Sequence, residues 1–361
     1  MTNFDRWNDE FRLQNMFVFN NNANGLLWLK VRAICRAKQL ERFLEENDIV
    51  LKGRLLKDRN RELFELLEQR PDAMQMLDKF LKCIDNEWYR LLNVDAEKLH
   101  NDLYEVHNYE WGGDHNNSLD KYLISRYVKN ISNYSDLLKS KGEIAVNAWN
   151  YVQNSWYNNW TSFLIESMFK KHPNVISAVG EIKSVDIFIG DYPIDIKVTF
   201  FPKEFLDLKV KQILGKNILS WLKWRAKEYG IKVDRNSSNF QQIYTLTEKL
   251  KEQNLYSIIN ELEQVKKIII QDSIDDPLEL LTWLYTNQGE MRFGSENRLF
   301  VVLADTDNLD ESWKMKRNIS LIGQKVKNYL NSFSPLCLKE INFSYNGGVY
   351  KSLSDILFIV K

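Results

Sequence analysis

Residues 185–199 read VDIFIGDYPIDIKVT, and their alternation decides how the chain is read. Ile187 and Ile189 on one arm, and Ile194, Ile196 and Val198 on the other, recur at the period of two that a strand requires. Gly190-Asp191 between them suits a two-residue type II′ turn, because glycine tolerates the positive φ of the first central position. Folding about that turn pairs Ile189 with Tyr192, Phe188 with Pro193, Ile187 with Ile194, and Asp186 with Asp195. The two aspartates then face each other at roughly 5 Å between Cβ atoms, and Lys197 follows on the face of Asp195. Like charges opposed across strands are destabilising; a bound divalent cation would supply a reason for them. Asp191 is a rival ligand nearer to Asp195 in sequence, but it sits in the turn, where aspartate serves local hydrogen bonding.

The chain has 361 residues, enough for two domains or for one core with a large extension. Its 49 basic and 49 acidic residues cancel, so the total charge makes no statement about nucleic acid, for which a local basic surface suffices. Apolar runs such as Leu299–Ala304 are far shorter than a membrane span, and the start, MTNFDRWNDEF, has no apolar signal region. Cys35, Cys83 and Cys337 are scattered and odd in number, which fits reduced thiols better than disulfides. Together these features predict a soluble, cytoplasmic protein without a membrane partner. His100, His107, His115 and His172 make no zinc pattern with the cysteines. A phosphate loop of the G-x-x-x-x-G-K-S/T kind is missing, so ATP use is not indicated.

Residues 1–141 read as an all-α N-terminal domain: proline is absent before Pro71 and again between Pro71 and Pro173. Helical spacing is expected over 25–47, 58–70, 73–92, 95–107 and 119–139, divided by a loop at 111–114. A long helix is expected over 142–171, with Trp149, Val152, Trp156, Trp160, Phe163 and Met168 inward and Pro173-Asn174 as its stop. A strand over 175–182 leads into the hairpin. Helices follow over 204–229, 238–270 and 277–287, then the continuously apolar strand 298–304 expected of a central position. A helix over 310–332 and strands over 338–346 and 353–360 close the chain. The fold class is therefore α/β, with residues 142–361 forming a mixed sheet flanked by helices.

Asp186 on one strand with Asp195-Ile196-Lys197 on the next resembles the PD-(D/E)XK nuclease superfamily, which includes many restriction endonucleases and repair nucleases. Val185 stands in place of the proline of that pattern. Glu166, in NNWTSFLIESMFKKHP, occupies the place of the family's helical glutamate, twenty positions ahead of Asp186. The likeness covers about residues 150–230. It implies a restriction-endonuclease-like core and a Mg²⁺-dependent DNA endonuclease, with Mn²⁺ able to substitute, working in restriction or antiviral defence. It implies metal ligands at Asp186, Asp195 and the carbonyl of Ile196, with Glu166 binding a second metal or a metal-bound water. Lys197 would lie beside the attacking water. Such oxygen ligands are the kind Mg²⁺ takes. Double-stranded DNA is the implied partner and a homodimer the implied assembly, since two strands need two sites.

Lys209, Lys216 and Lys223 recur every seven residues, and Lys227 follows, with Gln212 near this stripe. A basic helix face beside a metal site would suit phosphate contacts; an ordinary solvated face is the alternative. Arg292, in the loop 287–294, and Arg298 just beyond it are further candidates for touching DNA. Two other readings stand beside the nuclease. One is a non-catalytic nucleic-acid-binding subunit of the same fold, and the other a nuclease acting on RNA or branched DNA.

Overall fold

The computed structural model describes residues 2–113, 118–179, 182, 184–287, 295–345 and 347–361. His115, Arg292, the end of the expected loop at Asp114 and part of the expected strand 175–182 lie outside them. Among the described residues, helices alone precede the sheet: α1 (Asn3–Arg12), α2 (Ala23–Ala33), α3 (Ala37–Glu46), α4 (Leu56–Leu67), α5 (Ala73–Leu92), α6 (Ala96–Asp102), α7 (Leu119–Leu123), α8 (Tyr134–Lys139) and the long α9 (Lys141–Lys170). Then come β1 (Val175–Ser177), β2 (Ile187–Ile189) and β3 (Tyr192–Phe200). The helices α10 (Lys203–Leu214), α11 (Ile218–Lys227), α12 (Asn239–Glu252), α13 (Tyr256–Asp275) and α14 (Leu278–Asn287) lead to β4 (Arg298–Ala304). The chain ends with α15 (Ile319–Ser332), β5 (Lys339–Tyr345) and β6 (Gly348–Val360).

The strands form one α/β mixed sheet in the order β1-β2-β3-β4-β6-β5. β2 runs antiparallel to both β1 and β3, β3, β4 and β6 are parallel, and β5 returns antiparallel on β6. A parallel pair needs a crossover, and α10–α14 supply it between β3 and β4. The hairpin register is the expected one: Ile187 faces Ile194, Phe188 faces Pro193 and Ile189 faces Tyr192. Gly190 has φ of +56° while Asp191 does not enter the left-handed region, as a type II′ turn demands. Every residue of β4 is buried, which a central parallel strand covered on both faces requires.

One face of the sheet packs Ile194, Ile196, Leu299 and Val301 against Ile165 and Phe169 of α9 and Ile322 and Val326 of α15. The other packs Phe300, Val302 and Ile356 against Phe205, Leu280 and Tyr285 of the crossover helices. Phe188, pointing opposite to Ile187 and Ile189, joins the core of α1–α5 together with Ala178, Ile182 and Val185. The first helices are thereby packed onto the hairpin. Among the described residues, no helix is long and apolar enough to cross a membrane.

Several expected elements are interrupted. The helix expected over 204–229 is two, because Gly215 ends α10 at φ of +72° and Asn217 caps α11 through Ser220 N–H at 2.8 Å. The segment 25–47 likewise divides into α2 and α3, and 310–332 begins as a tight turn over Leu309–Arg317 before α15. In α9 the expected inward face is wrong at its first half. Trp149 is 64% and Val152 53% exposed, while Asn154, Tyr157, Thr161 and Leu164 turn inward. This half of α9 is apolar on more than one side, so periodicity alone does not select the buried one.

Phe188→Ala removes a fully buried ring shared by the hairpin and α1–α5. It is expected to cost about 3–5 kcal/mol, read as a lower denaturation midpoint in urea with an unchanged slope.

Candidate active site

The site forms where β2 and β3 part. Asp186 immediately precedes Ile187, the paired residue farthest from the turn: its N–H donates to Ile194 O at 2.9 Å, and its carbonyl accepts from Ala178 N at 2.9 Å. Its carboxylate then continues the pairing that the backbone abandons, Oδ2 accepting from Ile196 N–H at 2.8 Å. N–H and C=O groups of one strand residue point to the same edge, so the carbonyl of Ile196 is directed to this side as well. Asp195 turns its own N–H the other way, to Asn297 O at 2.8 Å on the chain entering β4.

Asp195 is held by Arg298, whose Nε donates to Oδ2 at 3.1 Å, and the same guanidinium donates from Nη2 to Glu296 Oε2 at 2.8 Å. Burial pushes the Asp195 carboxyl up, the charge of Asp186 pushes it further, and Arg298 opposes both. Burial likewise raises Glu296, against the pull of Arg298. Lys197 is pulled down by burial, while Asp195 and Asp186 favour its charged form.

Glu166 arrives from α9 and is held by Lys170 one turn on, at 3.3 Å. Burial raises its carboxyl, Lys170 lowers it, and Asp186 raises it again. Asp186, Asp195 and Lys197 thus share one field, and Asp186 links Glu166 to it. Asp191 stands apart in the exposed turn, where its carbonyl accepts from Asn21 N–H at 2.9 Å.

Among the described residues, no three His, Cys, Asp or Glu side chains converge closely enough to hold an ion by themselves. The reason lies in the partners just given, since Asp186 is turned to Ile196 N–H, Asp195 to Arg298 and Glu166 to Lys170. The donor set nevertheless fits a hard divalent cation: carboxylate oxygens and a strand-edge carbonyl, with an Asp186–Asp195 repulsion that such a charge would relieve. Both internal cations also have a second acid. Arg298 keeps Glu296, and Lys170 acts electrostatically on the buried Asp85 as well.

Four neighbours of the site were not foreseen. Asp85 lies on α5, its carboxyl raised by burial and eased by the Ser177 hydroxyl and Lys170. Its signal was present, for it follows Leu77 and Leu81 at spacings of four and so falls on the apolar stripe of that helix. Glu296 and Asn297 sit in a polar run before an apolar strand, which reads as loop. Lys316 is buried, with Nζ donating to Asn158 Oδ1 at 2.7 Å beside Tyr109 Oη, also at 2.7 Å. Burial first, and then the charge of Lys197, push Lys316 down to about 8.

The expected basic stripe does not survive as one face. Lys209 on α10 pairs with Glu279 at 2.7 Å, and Gln212 is exposed before the break at Gly215. Lys216, Lys223 and Lys227 lie beyond the break, where they line a shallow pocket with Lys211. Arg298, expected as a DNA contact, is instead 5% exposed and committed to its two carboxylates.

Comparison of the chain with protein-family models, curated proteins and solved structures gave no match.

Arg298→Met leaves Asp195 and Glu296 without their buried cation and is expected to cost about 3–5 kcal/mol near neutral pH. Both carboxyls are raised in the folded chain. A carboxyl with a raised folded pKa favours folding when protonated, so stability is lost as pH climbs from about 4 through the folded value. The deficit of the variant should therefore be larger at pH 8 than at pH 5, measured by urea denaturation at both.

Proposed function

We propose that this chain is a divalent-cation-dependent DNA endonuclease with a restriction-endonuclease-like core. The observation that carries the reading is the Asp186 Oδ2 to Ile196 N–H bond at 2.8 Å. It brings the first aspartate against the D-x-K strand at the point where the hairpin opens. The order of elements supports it: a long helix, an antiparallel hairpin, a helical crossover and a parallel strand make the mixed, helix-flanked sheet that the resemblance implies.

Asp186, Asp195 and the carbonyl of Ile196 would hold Mg²⁺, or Mn²⁺ in its place, with Glu166 joining them. When bound, the ion supplies a Lewis acid for the phosphate and a more acidic water. The chain's own groups do the rest. Lys197, on the face of Asp195, donates to a phosphate oxygen or orients the attacking water where charge develops. Arg298 also holds Glu296, and Lys170 also acts on Asp85, so each cation would keep an acid if Asp195 and Glu166 served as ligands. No buried charge would then be stranded, which is the costly outcome in a dry site. Double-stranded DNA as substrate, a homodimer presenting one site to each strand, and a role of residues 1–141 in target recognition belong to the same proposal.

A second reading, a nucleic-acid-binding subunit without cleavage, draws on one observation: the Asp195–Arg298 pair at 3.1 Å already fills the place of a cation. One experiment separates the two. The purified chain is incubated with supercoiled plasmid, linear duplex, single strands and RNA, with Mg²⁺ and with chelator. Cleavage of DNA that stops with chelator and in Asp195→Ala, and falls about 10²–10³-fold in Lys197→Ala, is the expected result. Cleavage that ignores the chelator or survives Asp195→Ala would sink the mechanism. Binding without any cleavage would favour the subunit.

A further inference from the structure

Five of the eleven lysines over residues 203–287 are tied to acids: Lys203 to Asp310, Lys209 to Glu279, Lys251 to Glu248, Lys266 to Glu263 and Lys267 to Asp307. A pocket of about 660 Å³ between α10 and α11 gathers four of the others. Lys211, Lys216, Lys223 and Lys227 line it, no carboxylate does, and none of the four has an ion-pair partner among the described residues. Lys223 and Lys227 also stand one helical turn apart, where like charges repel. The start of α11 does not account for the site, because Asp207 Oδ1 already takes Ile218 N–H at 2.7 Å and Asn217 takes Ser220 N–H. The positive field comes from the lysines.

Trp224 gives the pocket a second chemistry. Three residues earlier, Trp221 is 1% exposed and belongs to the core, whereas Trp224 is 47% exposed among the lysines. Arg225 lies 5.6 Å from the Trp224 ring and is anchored by Glu261 at 3.2 Å. The rest of the lining is polar: Asn217, Ser220 and the glycine that ends α10. An apolar partner would find one ring and no aliphatic wall. A free phosphate would use the lysines and leave the indole idle. Unpaired nucleic acid uses both, its phosphates on the cations and a base on the ring.

We propose that the α10–α11 pocket binds a single-stranded stretch of nucleic acid, with phosphates on Lys211, Lys216, Lys223 and Lys227 and a base stacked on Trp224. This rests on the nucleic-acid reading above and deepens it, because a substrate with an unpaired segment would occupy both places.

The test uses full-length chain carrying Asp195→Asn, in chelator, so that binding is read without cleavage. A fluorescent single-stranded oligonucleotide is titrated at several salt concentrations, against the duplex of the same sequence and against inorganic phosphate as competitor. The single strand should bind more tightly than the duplex. Trp224→Leu should weaken the single strand about tenfold and leave the duplex unchanged. Lys223→Gln with Lys227→Gln should flatten the salt dependence by about 1.4 in log–log slope. Circular dichroism confirms that these exposed positions leave the fold intact.

No single-strand binding, variants that bind as the parent does, a duplex bound as tightly with Trp224→Leu silent, or displacement by inorganic phosphate at equal phosphate concentration would each overturn the proposal. Cleavage by the unsubstituted chain is scored separately. Cleavage with an inert pocket refutes this inference alone, and a working pocket without cleavage refutes the nuclease alone.

Discussion

A single guanidinium holds the centre of this molecule together. Arg298 is buried at the first residue of a strand that is itself buried throughout, and it faces two carboxylates from different segments. Taking one ion out of water costs several kcal/mol even after relaxation, so three such groups persist only if their partners are complete. Here the guanidinium donates to both carboxylates, and the backbone around it is paired too: Ser354 Oγ donates to Arg298 O at 2.7 Å, Tyr285 Oη to Glu296 O at 2.7 Å, and Asn297 Nδ2 to Pro193 O at 3.0 Å, while Asn297 Oδ1 accepts from Leu353 N–H at 3.0 Å. The entry to β4 is thus a polar knot that locks β3, β4 and β6 in register, and Asp195 is part of it.

That knot explains which parts of the site were legible in the sequence. The alternation of Ile187, Ile189, Ile194 and Ile196 is a property of neighbours in the chain, and Gly190 fixes the turn, so the register followed from residues 185–199 alone. The expected pairing of Asp186 with Asp195 lies one step beyond the observed ladder, where the Asp186 N–H turns to Ile194 O, and the two are related by charge alone. What opposes their charge was not legible there, because Arg298 lies about a hundred positions downstream and meets Asp195 only through the parallel β3–β4 pairing. An arginine opening an apolar strand looks exposed when the crossover that buries it is not in view. The broken helix at Gly215 was a local signal passed over: glycine followed two residues later by asparagine marks a stop and a start, and the seven-residue lysine spacing hid it.

The helical segment before the sheet enters the same electrostatic account. Asp85 is carried on the apolar stripe of α5 to Ser177 and Lys170, and Tyr89, on the same helix, is raised by burial and by the charges of Asp85 and Glu166. Periodicity marks such an acid as out of place without saying what it meets. Its partners come from α9 and β1, so the meeting depends on how α5 packs on the hairpin through Phe188. The first helices therefore shape the Glu166 side of the site as well as covering the sheet.

Charge is settled region by region in this chain, and the zero total conceals it. Around the β2–β3 fork five acids meet three cations: the buried Arg298 between Asp195 and Glu296, the half-buried Lys170 between Glu166 and Asp85, and Lys197 in the field of Asp195 and Asp186. In the pocket between α10 and α11 four lysines gather and no carboxylate lines it. An unbalanced acidic region calls for a cation, and an unbalanced basic one for an anion. A phosphodiester strand, as proposed, would answer both demands with one ligand. Either imbalance alone has ordinary explanations, such as a solvated helix face or an internally neutralised acid pair. Their coexistence on one neutral chain, with an indole set among the lysines, is what favours nucleic acid over a metal ion or a small anion by itself.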